Sequence, residues 1–183
     1  MEDLIEVVKR TGVVTENTLY YWGYQYRLGK EYIVPYLTRL GVFKKGDSIA
    51  EIGSAEGGVL MAFAQQGTNR LLATDIVPYR LHDGEQIAKA SNLEIDFVKN
   101  DIINEPVPTE WKEKFDLVIL RDVIEHIDDT KKCLKNISKL LKKGGSLYVT
   151  FPPYTSPFGG HQHTLQNIWG KIPYIHLLPT FIF

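Results

Sequence analysis

The stretch "SIAEIGSAEGGVLMAFAQQG", residues 48–67, decides how this chain reads. "SIAEI" is a short, mostly apolar run of the kind buried in a parallel sheet. "GVLMAFAQQG" continues as an apolar helix that ends at Gly67. Between them "EIGSAEGG" crowds Gly53, Ala55, Gly57 and Gly58 into one turn. So little side chain at the end of a strand lets the backbone turn tightly and lie close against a ligand. The helix that follows aims its free N–H groups and positive dipole end at the same place. The turn is therefore read as a ligand cradle, against the plainer reading of a glycine-rich strand-to-helix connection. As Gly53-x-Ala55-x-x-Gly58 it also fits a relaxed dinucleotide fingerprint.

Strands and helices alternate downstream of this unit. "RLLATD" is a second strand, "GEQIAKASN" a helix, "LEIDFVKND" a third strand and "FDLVILRD" a fourth, with residues 105–111 as a loop. "DDTKKCLKNISKLLKKGG" is the clearest helix, with Cys133, Ile137, Leu140 and Leu141 along one face. Asp128 or Asp129 can cap its start, lysines suit its last turn, and Gly144 and Gly145 end it. "SLYVTF" is a fifth strand. Short strand–helix–strand spacing implies right-handed crossovers and a doubly wound parallel sheet, an α/β fold with helices on both faces. Upstream, Met1, Leu4, Ile5 and Val8 mark an amphipathic helix interrupted at Gly12. Ile33, Tyr36, Leu37 and Leu40 mark another helical face, with Gly41 as its C-cap. The expected organisation is a helical cap over residues 1–47, a ligand-binding core over 48–151 and an irregular tail over 152–183, in one compact domain.

Composition narrows the function. The 183 residues carry 21 Lys plus Arg against 22 Asp plus Glu, a net charge of −1, so the chain is not built to grip nucleic acid by charge. A single cysteine, Cys133, forms no internal disulfide. The charged N-terminus is no signal peptide, and no apolar run reaches the ~18 residues of a membrane span. A soluble cytoplasmic protein without a membrane partner is expected.

The carboxylates sharpen the ligand. Asp75 ends the second strand 22 residues after Gly53 (75 minus 53), where a carboxylate can accept both hydroxyls of a ribose. Asp101 follows the third strand, where a polar side chain can meet an adenine edge. Glu51 stands just before the glycines. Beside a pyrophosphate it would be repelled; beside an ammonium group it is favourable, which suits a ligand with an amino-acid tail.

The ordered set "EIGSAEGG", "ATD", "KNDI", "FDLVILRDVIEHIDD" and "LKKGGSLYVTFPP" resembles the class I S-adenosylmethionine-dependent methyltransferases, over residues 48–153. That family's first motif has an acidic residue, an apolar one and then Gly-x-Gly-x-Gly. Glu51, Gly53, Ala55 and Gly57 take those places, with Ala55 in place of the middle glycine. The resemblance implies a cofactor, S-adenosylmethionine, whose product is S-adenosylhomocysteine. Gly53, Ser54, Ala55 and Gly57 would pack against its methionine and ribose parts, Asp75 would bind the ribose hydroxyls and Ile76 would lie against adenine. Asp101 would meet the adenine amino group, supported by the backbone of Ile102. Leu120 and Arg121 would border the methionine part through their backbone. His126 falls where many relatives have a histidine, as a chemical group or as a packing residue at a helix start.

An activated methyl group demands alignment more than acid–base help, so no catalytic residue need be evident. Two stretches can hold the acceptor, which is expected to be a small molecule. In "YYWGYQYR", Tyr21, Trp22 and Arg27 can form an aromatic lid, or the aromatics can pack on the sheet. After the fifth strand, Tyr154, His161 and His163 lie in a proline- and glycine-rich loop, the histidines as base, substrate contact or neither. No cysteine or carboxylate lies near them in sequence to complete a metal site, and no metal is expected. Family members usually add a sixth and a seventh strand, the last antiparallel. Only 32 residues follow Phe151 (183 minus 151), and their prolines disfavour such strands. The expected sheet order is therefore 3-2-1-4-5, all parallel, in a truncated or partner-completed chain. Its unpaired edge and apolar "LLPTFIF" end favour a homodimer. An oxidoreductase that binds NAD, or a truncated module that binds cofactor without catalysis, are the competing functions.

Overall fold

The computed structural model describes residues 3–157 and 168–177. Five parallel strands form one sheet: β1 (Ile49–Ile52), β2 (Leu71–Asp75), β3 (Asp96–Lys99), β4 (Phe115–Arg121) and β5 (Leu141–Thr150). Their order is β3-β2-β1-β4-β5, as the sequence predicts. The helices are α1 (Leu4–Thr11), α2 (Glu16–Leu28), α3 (Val34–Arg39), α4 (Gly58–Ala64), α5 (Pro78–Ala90) and α6 (Thr130–Leu140). Among the described residues, no helix is long and apolar enough to cross a membrane.

Side-chain alternation divides the core. Ile49, Leu71, Ala73, Leu117 and Ile119 face α1 to α5, while Ala50, Ile52, Leu72, Val118 and Leu120 face α6 and the segment around Trp111. Glu51 stands two residues after Ile49, and Arg121 two after Ile119, so both carboxyl-end charges share their face, the α4 face. Register carries this row outward: Glu51 pairs with Ile119, Ile119 with Tyr148 and Arg121 with Thr150.

The cap is joined to the sheet through α2 and α4. A Cβ on Gly58 would stand 2.8 Å from the Trp22 carbonyl, and one on Gly29 would stand 2.9 Å from Ala62 Cβ, so the backbones touch where glycine allows it. Trp22 and Tyr26, 0% and 1% exposed, stack with centroids 5.5 Å apart, and Trp22 Nε1 donates to Met61 Sδ at 3.2 Å. Burial of an aromatic side chain removes ~150–250 Å² from water, which stabilises by about 4–6 kcal/mol as an upper value.

Several boundaries differ from the sequence reading. The clearest helix stops at Leu140: Leu141 is extended and pairs with Phe115, so Lys142, Lys143 and both glycines belong to β5. The helix after β2 begins at Pro78, six residues before Gly84, because proline fits a first turn that leaves its N–H unused. The face marked by Ile33, Tyr36, Leu37 and Leu40 is split: Ile33 and Leu37 are buried, Tyr36 and Leu40 exposed. A π-helical turn over Gly29–Ile33 shifts the phase between α2 and α3. Gly12 and Gly41, both left-handed, end their helices as expected. The described part of the tail holds two short 3₁₀ turns, Ile168–Lys171 and Ile175–Leu177.

Candidate functional site

The glycine turn folds back on the end of β2. Gly53, Ala55 and Gly57 are left-handed, with φ of 69°, 50° and 72°. At Ala55 this conformation costs ~1–2 kcal/mol that glycine would avoid. Hydrogen bonds hold it. Ala55 N–H donates to Asp75 Oδ2 at 2.9 Å, Ser54 N–H to the Thr74 carbonyl at 2.9 Å and Gly57 N–H to the Ser54 carbonyl at 2.8 Å. A Cβ on Gly53 would collide with Val123, and one on Gly57 would meet Phe97 at 3.0 Å. The space over Gly53 is thus filled by a side chain of the loop after β4. The missing side chain there makes room for Val123.

Charge at this end of the sheet is mainly negative. Glu51 is 2% exposed and its Oε2 has no hydrogen-bond partner among the described residues. Burial pushes its carboxyl from 4.5 up to about 7, against the pull of Arg121 and of the Leu60 amide in the first turn of α4. Glu56, 6% exposed, is also raised by burial, with Arg80 Nε 3.9 Å away and one oxygen without a partner among the described residues. Asp75 accepts from Ala55 N–H and, through Oδ1, from Val77 N–H at 2.9 Å. A carboxylate has about four acceptor positions, so two remain. Three carboxylates thus gather here beside Arg80 and Arg121.

The other sequence candidates divide. Ile76 is 63% exposed beside Asp75, free to cover a flat ring. Asp101 accepts from Ile103 N–H, Asn104 N–H and Asn104 Nδ2, which holds its carboxyl below the usual range and commits most of it to its own turn. Ile102 is buried, and its carbonyl accepts from Asn136 Nδ2 at 2.7 Å. Leu120 is wholly buried in β4. His126 lies exposed on a 3₁₀ turn, Ile124–His126, just past β4. Tyr21, Arg27 and Tyr154 are exposed. Trp22 corrects the lid reading: with no exposed surface it belongs to the core, because the apolar face of α2 needs a large ring against α4. His161 and His163 lie outside the described residues.

One cavity went unmarked in the sequence. It measures about 670 Å³ and opens between the π-helical turn, α3 and the ends of β4 and β5. Tyr32, Tyr36, Arg39, Asp122, Tyr148 and Thr150 line it, with Arg121 at its inner side. Arg121 Nη1 donates to Asp122 Oδ2 at 2.7 Å and Thr150 Oγ1 donates to Asp122 Oδ1 at 3.0 Å. The sheet alternation of Tyr148 and Thr150 was available from sequence. The phase shift that brings Tyr32 and Tyr36 over them was not.

The family model described as "Methyltransferase domain" matches residues 50–149. The chain belongs to this methyltransferase-domain family. Among curated relatives, it is 30% identical over 96 residues to the ribosomal protein L11 methyltransferase of Caldicellulosiruptor saccharolyticus, covering 52% of this chain and 30% of that protein. It is 25% identical over 106 residues to the ubiquinone biosynthesis O-methyltransferase of Coxiella burnetii, covering 58% and 44%. This methyltransferase-domain chain thus spans less than half the length of these relatives. The crystal structure of an S-adenosylmethionine-dependent methyltransferase from Clostridium acetobutylicum shares the fold, with a TM-score of 0.60, 22% identity and coverage of 70% of this chain and 51% of that one.

Proposed function

We propose that this chain binds S-adenosylmethionine at the carboxyl ends of β1 and β2 and moves its methyl group to a small-molecule acceptor. The observation that carries this reading is Glu51, a buried carboxyl at the end of β1 with an oxygen that has no partner among the described residues. An ammonium group is the natural complement of that oxygen, and a pyrophosphate is not. The residues present fit the cofactor. Glu51 would face its ammonium, the backbone of Gly53, Ser54, Ala55 and Gly57 would lie along its methionine and ribose parts, and the two unused acceptor positions of Asp75 would take ribose hydroxyls. When bound, the cofactor supplies a methyl group already activated by positive sulfur. The chain's own task is to align the acceptor and exclude water, and orientation of this kind supplies ~7–11 kcal/mol.

A small acceptor is supported by the cavity of about 670 Å³ whose lining includes Arg121, the residue that acts electrostatically on Glu51; its size is typical of small-molecule pockets. The relatives named above take different acceptors by their names, so neither acceptor transfers to this chain. Calorimetric titration with S-adenosylhomocysteine and, separately, with NAD tests the reading. Saturable binding of the first alone is the expected result. Binding of NAD alone would replace methyl transfer with redox chemistry.

A further inference from the structure

We propose that the cavity between the π-helical turn and the ends of β4 and β5 holds an uncharged, planar hydroxy-aromatic molecule, with its hydroxyl at Asp122. As the acceptor site, this rests on the methyl-transfer reading above. Position supports it first. Arg121 and Thr150 lie on the sheet face of Glu51, one row further toward the carboxyl ends, and Arg121 both lines the cavity and acts electrostatically on Glu51. An acceptor must sit beside the methyl donor, and Arg121 is the residue that this cavity shares with the surroundings of Glu51.

Shape comes next. Tyr32 and Tyr36, 65% and 44% exposed, line the cavity together with half-buried Tyr148 and exposed Pro35. Rings and a proline make flat apolar walls, which suit a ring by offset or edge-to-face packing. Burial and the nearby Tyr36 and Asp122 push the Tyr148 phenol up, so it remains a neutral wall.

Charge decides between aromatic classes. The lining carries Arg39 and Arg121 against Glu31 and Asp122, two of each sign, so it is neutral as a whole. An anionic or cationic ligand would lose its hydration without a surplus counter-charge. A hydroxyl needs one acceptor and one donor, and the inner end offers both. Asp122 is held there by Arg121 and Thr150 in a left-handed conformation, φ 52°, that aspartate tolerates better than most residues. Arg121 Nε has no acceptor among the described residues and is the buried donor at this end.

The test is calorimetric titration of the full chain with catechol, benzoate and benzylamine, each with and without S-adenosylhomocysteine. Catechol should bind at about millimolar strength, with benzoate and benzylamine roughly tenfold weaker. Tyr36→Ala should weaken catechol about three- to tenfold while Tyr36→Phe restores it, and neither should alter S-adenosylhomocysteine binding. Asp122→Asn leaves the lining with one net positive charge, so it should weaken catechol and strengthen benzoate. Equal binding of the three probes, or catechol affinity unchanged in Tyr36→Ala and Asp122→Asn, would overturn the assignment. If S-adenosylhomocysteine binds and catechol does not, only this inference falls. If S-adenosylhomocysteine itself fails to bind, the methyl-transfer reading falls first, and the acceptor role with it.

Discussion

Replacing Glu51 with glutamine keeps the side chain's shape and removes its titration. The carboxyl rises from 4.5 to about 7 on folding because burial disfavours its charge. Below pH ~4.5 it is protonated in both folded and unfolded chains and has no effect on their balance. Between the two values the folded chain holds a proton that the unfolded chain has released, so stability falls as pH rises. Above pH ~7 the full cost is present, about 3 kcal/mol for a carboxyl raised from 4.5 to about 7. Urea unfolding of both proteins from pH 4.5 to 8 should therefore show the wild type losing about 3 kcal/mol relative to Glu51→Gln. Ligand binding should show the reverse trend. An ammonium at Glu51 favours the ionised form, so S-adenosylhomocysteine affinity should drop up to tenfold per pH unit below 7, with proton release measurable in buffers of different ionisation enthalpy. In Glu51→Gln the affinity should be weaker at pH 8 and nearly flat with pH. A stability difference that does not change with pH would refute the buried carboxyl with one unpartnered oxygen on which the functional reading depends.

Asp75→Ala should weaken S-adenosylhomocysteine binding by about 1–3 kcal/mol, since ribose hydroxyls lose a charged acceptor and the glycine turn loses its anchor at Ala55; unchanged calorimetric affinity would remove Asp75 from the site. Gly58→Ala should destabilise the fold by about 1–3 kcal/mol in urea, because a methyl group 2.8 Å from the Trp22 carbonyl forces α2 off α4. A loss below ~0.5 kcal/mol would show that these helices have room to spare. Among the described residues no strand pairs with the outer edge of β5, and an open edge recruits a partner. Sedimentation at micromolar concentration should show a homodimer; a concentration-independent monomer would end that expectation.

Strand order and the strand-end positions of Glu51 and Asp75 were legible because they rest on local signals. "SIAEI" and "FDLVILRD" hold short apolar runs of the kind found in buried parallel strands, and Asp75 and Glu51 sit at strand ends that the pattern marks. The boundary at Leu140 was hidden because Leu141 fits the helical face equally well; its pairing with Phe115, a long-range contact, makes it strand. Trp22 was ambiguous for the same reason, since an aromatic-rich helix has several faces and only its approach to Gly58 and Met61 selects the buried one. The space over Gly53 could not be assigned from sequence, as Val123 reaches it from seventy residues away. The cavity was least legible, because it depends on the extra residue per turn at Gly29–Ile33 that rotates Tyr32 and Tyr36 toward β5.

The central claim is that a cofactor with an ammonium group lies with that group at Glu51 and its ribose at Asp75. A crystal structure of the chain with S-adenosylhomocysteine tests it most directly. The account predicts the amino group within hydrogen-bond reach of Glu51, directly or through one water, and both ribose hydroxyls on Asp75. A ligand bound elsewhere, or bound here with its amino group turned away from Glu51, would contradict it.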